Sequence, residues 1–194
     1  MTLSATAISW RKSSARYFTT CKGAACMLKA ESFTFSATPM VSAAPLRPLT
    51  SIAAFKNTAV DLEAALGVAL PTTAVGITCN DVLYLWAGPY SWLALGAAPT
   101  ILAAVSPYAA ITDQTDGRSI FHIAGPHATE ALAKLVPIDL HESVFPLNGT
   151  ALTLAGHIPV QLWREGEVFA LACFRSFAQS LYASLIEACR EFEG

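Results

Sequence analysis

Charge is what this chain of 194 residues has least of: Asp, Glu, Lys and Arg make up 13% of it, against about 25% in a typical soluble domain. From Val82 to Thr112 there is no charged residue at all. A strongly basic nucleic-acid surface is therefore excluded. The sequence also lacks the roughly 20 unbroken apolar residues that a membrane span requires, because Gly88, Pro89, Gly96, Pro99 and Pro107 interrupt the charge-free run. No G-x-x-x-x-G-K-[ST] loop and no G-x-G-x-x-G fingerprint occurs, which removes the common phosphate and dinucleotide cradles. The five cysteines (Cys21, Cys26, Cys79, Cys173 and Cys189) are odd in number and scattered. They imply no disulfide framework and point to a reducing, cytoplasmic setting. His122, His127, His141 and His157 share no metal-ligand spacing, so no metal site is expected.

What is present is apolar. Hydrophobic residues reach 54%, enough for one domain with a sizeable core. A surface so short of charge belongs either to a very tightly packed protein or to a subunit with large protein contacts, and the second fits better, since charge depletion marks the core of stable interfaces. The net charge of −2 hides an asymmetry. Arg11, Lys12, Arg16, Lys22 and Lys29 all precede the first acid, Glu31. Residues 1–40 read as a poorly ordered basic arm or an upstream extension, with Met40 as an alternative start, and residues 41–194 as one α+β domain of two similar halves.

Pattern and turn chemistry divide that domain. A strand is expected after Pro48, then a helix capped by Asn57 or Thr58, with Leu62, Ala65, Leu66 and Ala69 on its apolar face and Gly67 limiting it. Val82–Trp86 and Trp92–Leu95 read as a hairpin whose two tryptophans meet across the strands, followed by a short helical piece at Thr100–Val105. Asp116-Gly117 predicts a second hairpin. Ala128, Ala131, Leu132 and Leu135 predict a helix that Pro126 starts. Three strands follow, in TALTLAG, IPVQLW and VFALACF, and a final helix opens on a Ser176/Gln179 capping box. Phe177, Leu181, Leu185, Ala188 and Phe192 run along its inner face. The order predicts two linked β-α-β-β-type units rather than a doubly wound sheet.

Chemistry is thin. Asp139, His141 and Ser143 alternate in DLHES, but a hydrolytic triad is usually gathered from separate elements around a strained turn; Asp139 is expected to form a turn and His141 a loop hydrogen bond. Asp113 is the better candidate for a ligand contact, with strand-end hydrogen bonding as the simpler role. Arg118 and Arg175 are candidate carboxylate partners or plain surface charges.

Four blocks, WAGPYSWLAL, ITDQTDGRSIFHIAGP, PIDLHESVFP and RSFAQSLYASLIEACREF, occur in the order found in the gamma subunits of heterotetrameric sarcosine oxidase, which the chain resembles from about Leu46 to Phe192. DGRSIFHIAGPHATEALAKL is also similar to the folate-binding aminomethyltransferase family. Tyr90-Ser91 and Val136 depart from the gamma-subunit pattern, which often has acidic residues and a cysteine there. The resemblance implies an α+β fold like the aminomethyltransferase domain. It also implies an accessory subunit without its own active site or bound cofactor, assembled with alpha, beta and delta subunits in the cytoplasm. FAD, FMN, NAD and tetrahydrofolate would belong to the larger subunits, where sarcosine is demethylated to glycine with hydrogen peroxide and formaldehyde or methylene-tetrahydrofolate. Trp92, His141 and Arg175, drawn from three of the blocks, are the candidate interface residues. An independent folate-binding or aminomethyl-transferring protein, with Asp113 as a folate contact, is the alternative.

Overall fold

The computed structural model describes residues 35–192 apart from Ile101. The basic arm, Cys21 and Cys26 lie outside the described residues. Strand-forming segments cluster into two five-stranded antiparallel sheets. The first contains β2 (Leu49–Ala54), β3 (Gly76–Cys79), β4 (Val82–Trp86), β5 (Ser91–Leu95) and β6 (Ala109–Asp113), in the order β3-β4-β5-β2-β6. The second contains β1 (Val41–Ala43), β7 (Arg118–Ile123), β8 (Thr150–Ala155), β9 (Ile158–Glu165) and β10 (Val168–Phe174), in the order β8-β9-β10-β7-β1.

These orders are the same plan used twice. In each half a strand leads through a helix into a three-stranded meander whose last strand returns beside the first: β2, α1 (Ala59–Leu66), β3-β4-β5, and then β7, α2 (Ala128–Ala133), β8-β9-β10. The outermost strands are exchanged. β1, at the head of the first half, pairs with β7 of the second; β6, at the head of the second, pairs with β2 of the first. The expected pair of linked β-α-β-β-type units is thus present, with one reading corrected. Asp116-Gly117 does not close a hairpin, because β6 and β7 lie in different sheets; Gly117 does not adopt positive φ, and the turn carries the chain from one sheet to the other.

Alternation places one face of each sheet inward. Leu49, Leu83, Leu85, Leu93 and Leu95 of the first sheet pack on Trp163, Ala170 and Ala172 of the second. Helices cover the outer faces: Leu62 of α1 joins Ile52, Tyr84 and Trp92, while Leu132 of α2 and Leu181 and Leu185 of α3 (Ala178–Cys189) pack over Phe121, Leu162 and Leu171. Each fully buried leucine or phenylalanine contributes about 1.5–3 kcal/mol. The sheets touch along one edge, where Val75 bridges Gly149.

Local chemistry explains the boundaries. Gly67, at φ 68°, ends α1 and returns its N–H to the Glu63 carbonyl, the positive-φ C-terminal cap that glycine makes without strain. Ala65 and Ala69 are exposed and Ala69 lies past the helix, so the buried stripe is narrower than its pattern predicted. Asn80 and Asp81, at φ 49° and 62°, form the two-residue turn between β3 and β4, a turn type in which both central residues need positive φ. The Ser176/Gln179 capping box is not formed: Arg175–Phe177 make a 3-10 turn, the helix starts at Ala178, and no side chain caps it. Phe177 is correspondingly exposed, while Leu181, Leu185 and Ala188 are buried as expected.

Candidate subunit interface

The β4–β5 hairpin forms as expected and pairs Trp86 directly with Trp92. Their fates differ. Trp92 is 4% exposed and donates its indole N–H to the Pro71 carbonyl at 2.7 Å, so this candidate interface residue packs in the chain's own core. Trp86 is the half-buried member. His141 and Arg175 are both exposed. The Arg175 backbone N–H closes on the Gly117 carbonyl at 2.9 Å, just past the end of β10.

Asp139, His141 and Ser143 do come together, in a way that serves the loop. Asp139 Oδ1 accepts from the His141 backbone N–H at 2.9 Å, and His141 Nδ1 lies 2.8 Å from Ser143 Oγ. The carboxylate holds the backbone rather than the imidazole, so the arrangement lacks the orienting contact of a triad. Asp113 sits exposed at the end of β6, where Oδ1 accepts from the Thr115 N–H at 2.9 Å. That bonding holds its carboxyl below the usual range. Among the described residues no cluster of His, Cys, Asp and Glu has the arrangement of a metal site.

Two arginines that pattern alone did not separate are more informative. Arg164, at the end of β9, is buried; its guanidinium pairs with Glu142 at 2.7 Å and lies 5.5 Å from the Phe169 ring centroid. The pairing holds the exposed Glu142 carboxyl below its ordinary value. Arg164 also borders a polar cavity of about 390 Å³, with Arg47, Asp81 and Glu165 around Trp163, whose indole N–H donates to Glu165 at 2.6 Å. Beside this region His122 is half-buried, and burial pushes its pKa down, with Glu165 opposing and Arg47 adding to the shift.

Arg118, the first residue of β7, lies with its guanidinium 4.6 Å from the Phe174 ring centroid. Its Nε is buried and has no hydrogen-bond partner among the described residues, and burial lowers its pKa. The neighbouring cavity, about 370 Å³, is otherwise uncharged and includes Leu152, Leu154, Pro159 and Phe174. Cys173, directly behind Phe174 on the other face of β10, is buried, and its thiol is pushed up to about 11. At neutral pH such a thiol is not a nucleophile.

By fold, this is an antiparallel two-sheet α+β chain with helices outside and an apolar row left open on one sheet. The chain is 34% identical over 141 residues to sarcosine oxidase subunit gamma of Corynebacterium sp. strain P-1, covering 68% of this chain and 69% of that one. It is 36% identical over 141 residues to the subunit gamma of Corynebacterium sp. strain U-96, covering 68% of each. The heterotetrameric sarcosine oxidase of Corynebacterium sp. U-96, solved in complex with pyrrole 2-carboxylate, contains a chain that superimposes with a TM-score of 0.71 at 27% identity, covering 79% of this chain and 85% of that one. No family profile matches. The chain belongs to the sarcosine oxidase gamma-subunit family.

Proposed function

We propose that this chain is a non-catalytic accessory subunit of a cytoplasmic heterotetrameric sarcosine oxidase, assembled with alpha, beta and delta subunits. The observation that carries the reading is family membership over 141 residues. The engagement of the chain's polar groups supports it: Asp113 accepts from the Thr115 N–H, Asp139 holds the His141 backbone rather than its imidazole, and burial keeps the Cys173 thiol protonated. In the proposed complex sarcosine, oxygen and water yield glycine, formaldehyde and hydrogen peroxide; when tetrahydrofolate accepts the one-carbon unit, methylene-tetrahydrofolate forms in place of formaldehyde and no water is consumed. Among the described residues no helix is long and apolar enough to cross a membrane.

The residues present do not fit the cofactors that such a complex uses. A flavin or a dinucleotide needs a site that buries most of its surface and places donors on its phosphates. A groove of about 730 Å³ along α2 and α3 carries Lys134 paired with Glu191 and Arg190 paired with Glu187, so its cations are already matched. FAD, FMN, NAD and tetrahydrofolate are therefore assigned to the partner subunits. The likeness to the folate-binding aminomethyltransferase domain rests on the signature from Asp116 to Leu135. The independent folate-binding reading rests on Asp113, whose Oδ1 already accepts from the Thr115 N–H at the end of β6.

Purification of the tagged full-length chain from its native cell tests the proposal. A complex with flavin absorbance and sarcosine-dependent peroxide formation is expected. A chain that recovers no flavin-containing partner overturns it. Tight binding of tetrahydrofolate to the isolated chain, abolished by Asp113→Ala, would overturn the assignment of folate to the partners.

A further inference from the structure

The repeated plan makes position-by-position comparison possible. In the first sheet Leu95 pairs with Leu49 on one side and Leu83 on the other, and the chain closes one step later with the Gly96 N–H on the Pro48 carbonyl at 2.8 Å. In the second sheet Phe174 pairs with Arg118, and the chain closes one step later with the Arg175 N–H on the Gly117 carbonyl at 2.9 Å. Pro159 and Phe174 each lie one residue beyond the Val160–Cys173 pair, and Leu154 faces Pro159 from β8. The row Leu49–Leu95–Leu83 of the first sheet therefore corresponds to Arg118–Phe174–Pro159 of the second.

Equivalent rows have opposite fates. Leu49, Leu95 and Leu83 are 2%, 3% and 8% exposed, whereas Phe174 is 45% exposed and Pro159 is exposed as well; beside them on β8, outside the matched row, Leu154 and Leu152 are 44% and 55% exposed. All lie on inner faces, because their strand neighbours Cys173, Val160, Ala151 and Ala155 face the helices. The first sheet covers Trp163, Ala170 and Ala172 and stops short of the end of the second. What it leaves open is a contiguous apolar shelf with one buried, unmatched guanidinium nitrogen.

We propose that this shelf receives a segment of a partner subunit that lays apolar side chains on Leu152, Leu154 and Phe174 and brings a carboxylate to Arg118. The inference rests on the subunit reading above and names the surface that reading leaves unspecified. Charge selects the occupant. Arg118 is the one charged residue lining the cavity, and a guanidinium half-withdrawn from water over an aromatic ring is matched by a carboxylate in fork geometry. The chain's own residues before Phe35 offer five basic residues against the single acid Glu31, a net positive stretch that does not match the site. A second copy docked shelf to shelf would bring in two Arg118 cations and no carboxylate, leaving both charges unmatched in apolar surroundings.

The test co-expresses the full-length chain with the partner subunits and compares wild type with Leu154→Asp, Arg118→Glu and Arg118→Lys, using circular dichroism to confirm that each isolated variant folds. Wild type is expected to assemble with flavin-containing subunits. Leu154→Asp and Arg118→Glu are expected to lose about thirtyfold or more in affinity, the scale of an interface anchor, with Arg118→Lys in between. If Leu154→Asp does not fold, Leu154→Ser serves with the same readout. Shelf variants that fold and assemble as wild type does overturn the proposal. So does a wild-type homodimer that Leu154→Asp dissolves. A wild-type chain that finds no flavin partner overturns the subunit reading itself, and the two failures are distinguished by the wild-type lane alone.

Discussion

The two halves of this chain share a strand order, a helix placement and an exchanged edge strand, yet the row that ends each meander is closed in one and open in the other. Leu95 lies sealed between the sheets while Phe174, at the corresponding place, is nearly half exposed. Symmetry of topology does not enforce symmetry of packing: the sheets overlap on Trp163, Ala170 and Ala172, and one end of the second sheet extends past the overlap. The first half thus contributes core, and the second contributes core and surface. Exchange of β1 and β6 locks the halves together, since neither sheet is complete without a strand from the other half.

Substitutions can sharpen that contrast, and the largest effect is expected in the first half. Trp92→Ala removes a buried ring and the partner of the Pro71 carbonyl, and should cost about 3–5 kcal/mol in denaturant unfolding. Trp86→Ala, its half-buried pair, should cost clearly less. Next, Leu95→Ala should lose about 2–5 kcal/mol, whereas Phe174→Ala in the isolated chain should lose about 1 kcal/mol or less, as surface positions do. Equal losses from the last two would break the comparison.

Smaller effects follow pH. The pKa of His122 lies below its ordinary 6.5 because burial disfavours the cation. The unfolded chain then binds a proton that the folded chain resists, so the contribution to stability is full above 6.5 and is lost as pH falls through 6.5 toward the folded-state value. His122→Gln should flatten that limb of a stability-against-pH curve. The smallest effect concerns Glu142, whose pKa is held below 4.5 by Arg164. Its contribution is present above about 4.5 and disappears as pH falls through the folded-state value. Because the carboxylate is exposed, solvent screens the pair, and Glu142→Gln should alter only the acid limb.

Much of the second half was legible in the sequence. Thr150 to Phe174 reads as three apolar strand-length runs, and Gly156 and Gly166 punctuate it where two-residue turns occur. The β4–β5 hairpin was equally plain, down to its facing tryptophans. Asp116-Gly117 misled because a turn signal is local: it marks a reversal without saying which sheet each flank joins. β1 and β3 are only three and four residues long, too short to show a period, although Asn80-Asp81 was a usable signal for the turn that defines β3. The capping box failed because a 3-10 turn consumes Ser176 before the helix begins. The shelf was hidden for another reason. In β8, Leu152 and Leu154 alternate with Ala151 and Thr153, a pattern compatible with burial on both faces, and only the offset between the sheets leaves one face open.

The most direct test of the account is hydroxyl-radical labelling of side chains in the isolated wild-type chain and in the assembled complex. In the isolated chain Phe174, Leu152 and Leu154 should be labelled, and the buried row Leu49, Leu95 and Leu83 of the first sheet protected. On assembly, labelling of Phe174, Leu152 and Leu154 should fall to the level of the protected row. Unchanged labelling of Phe174, Leu152 and Leu154 in a complex that contains flavin would contradict the account.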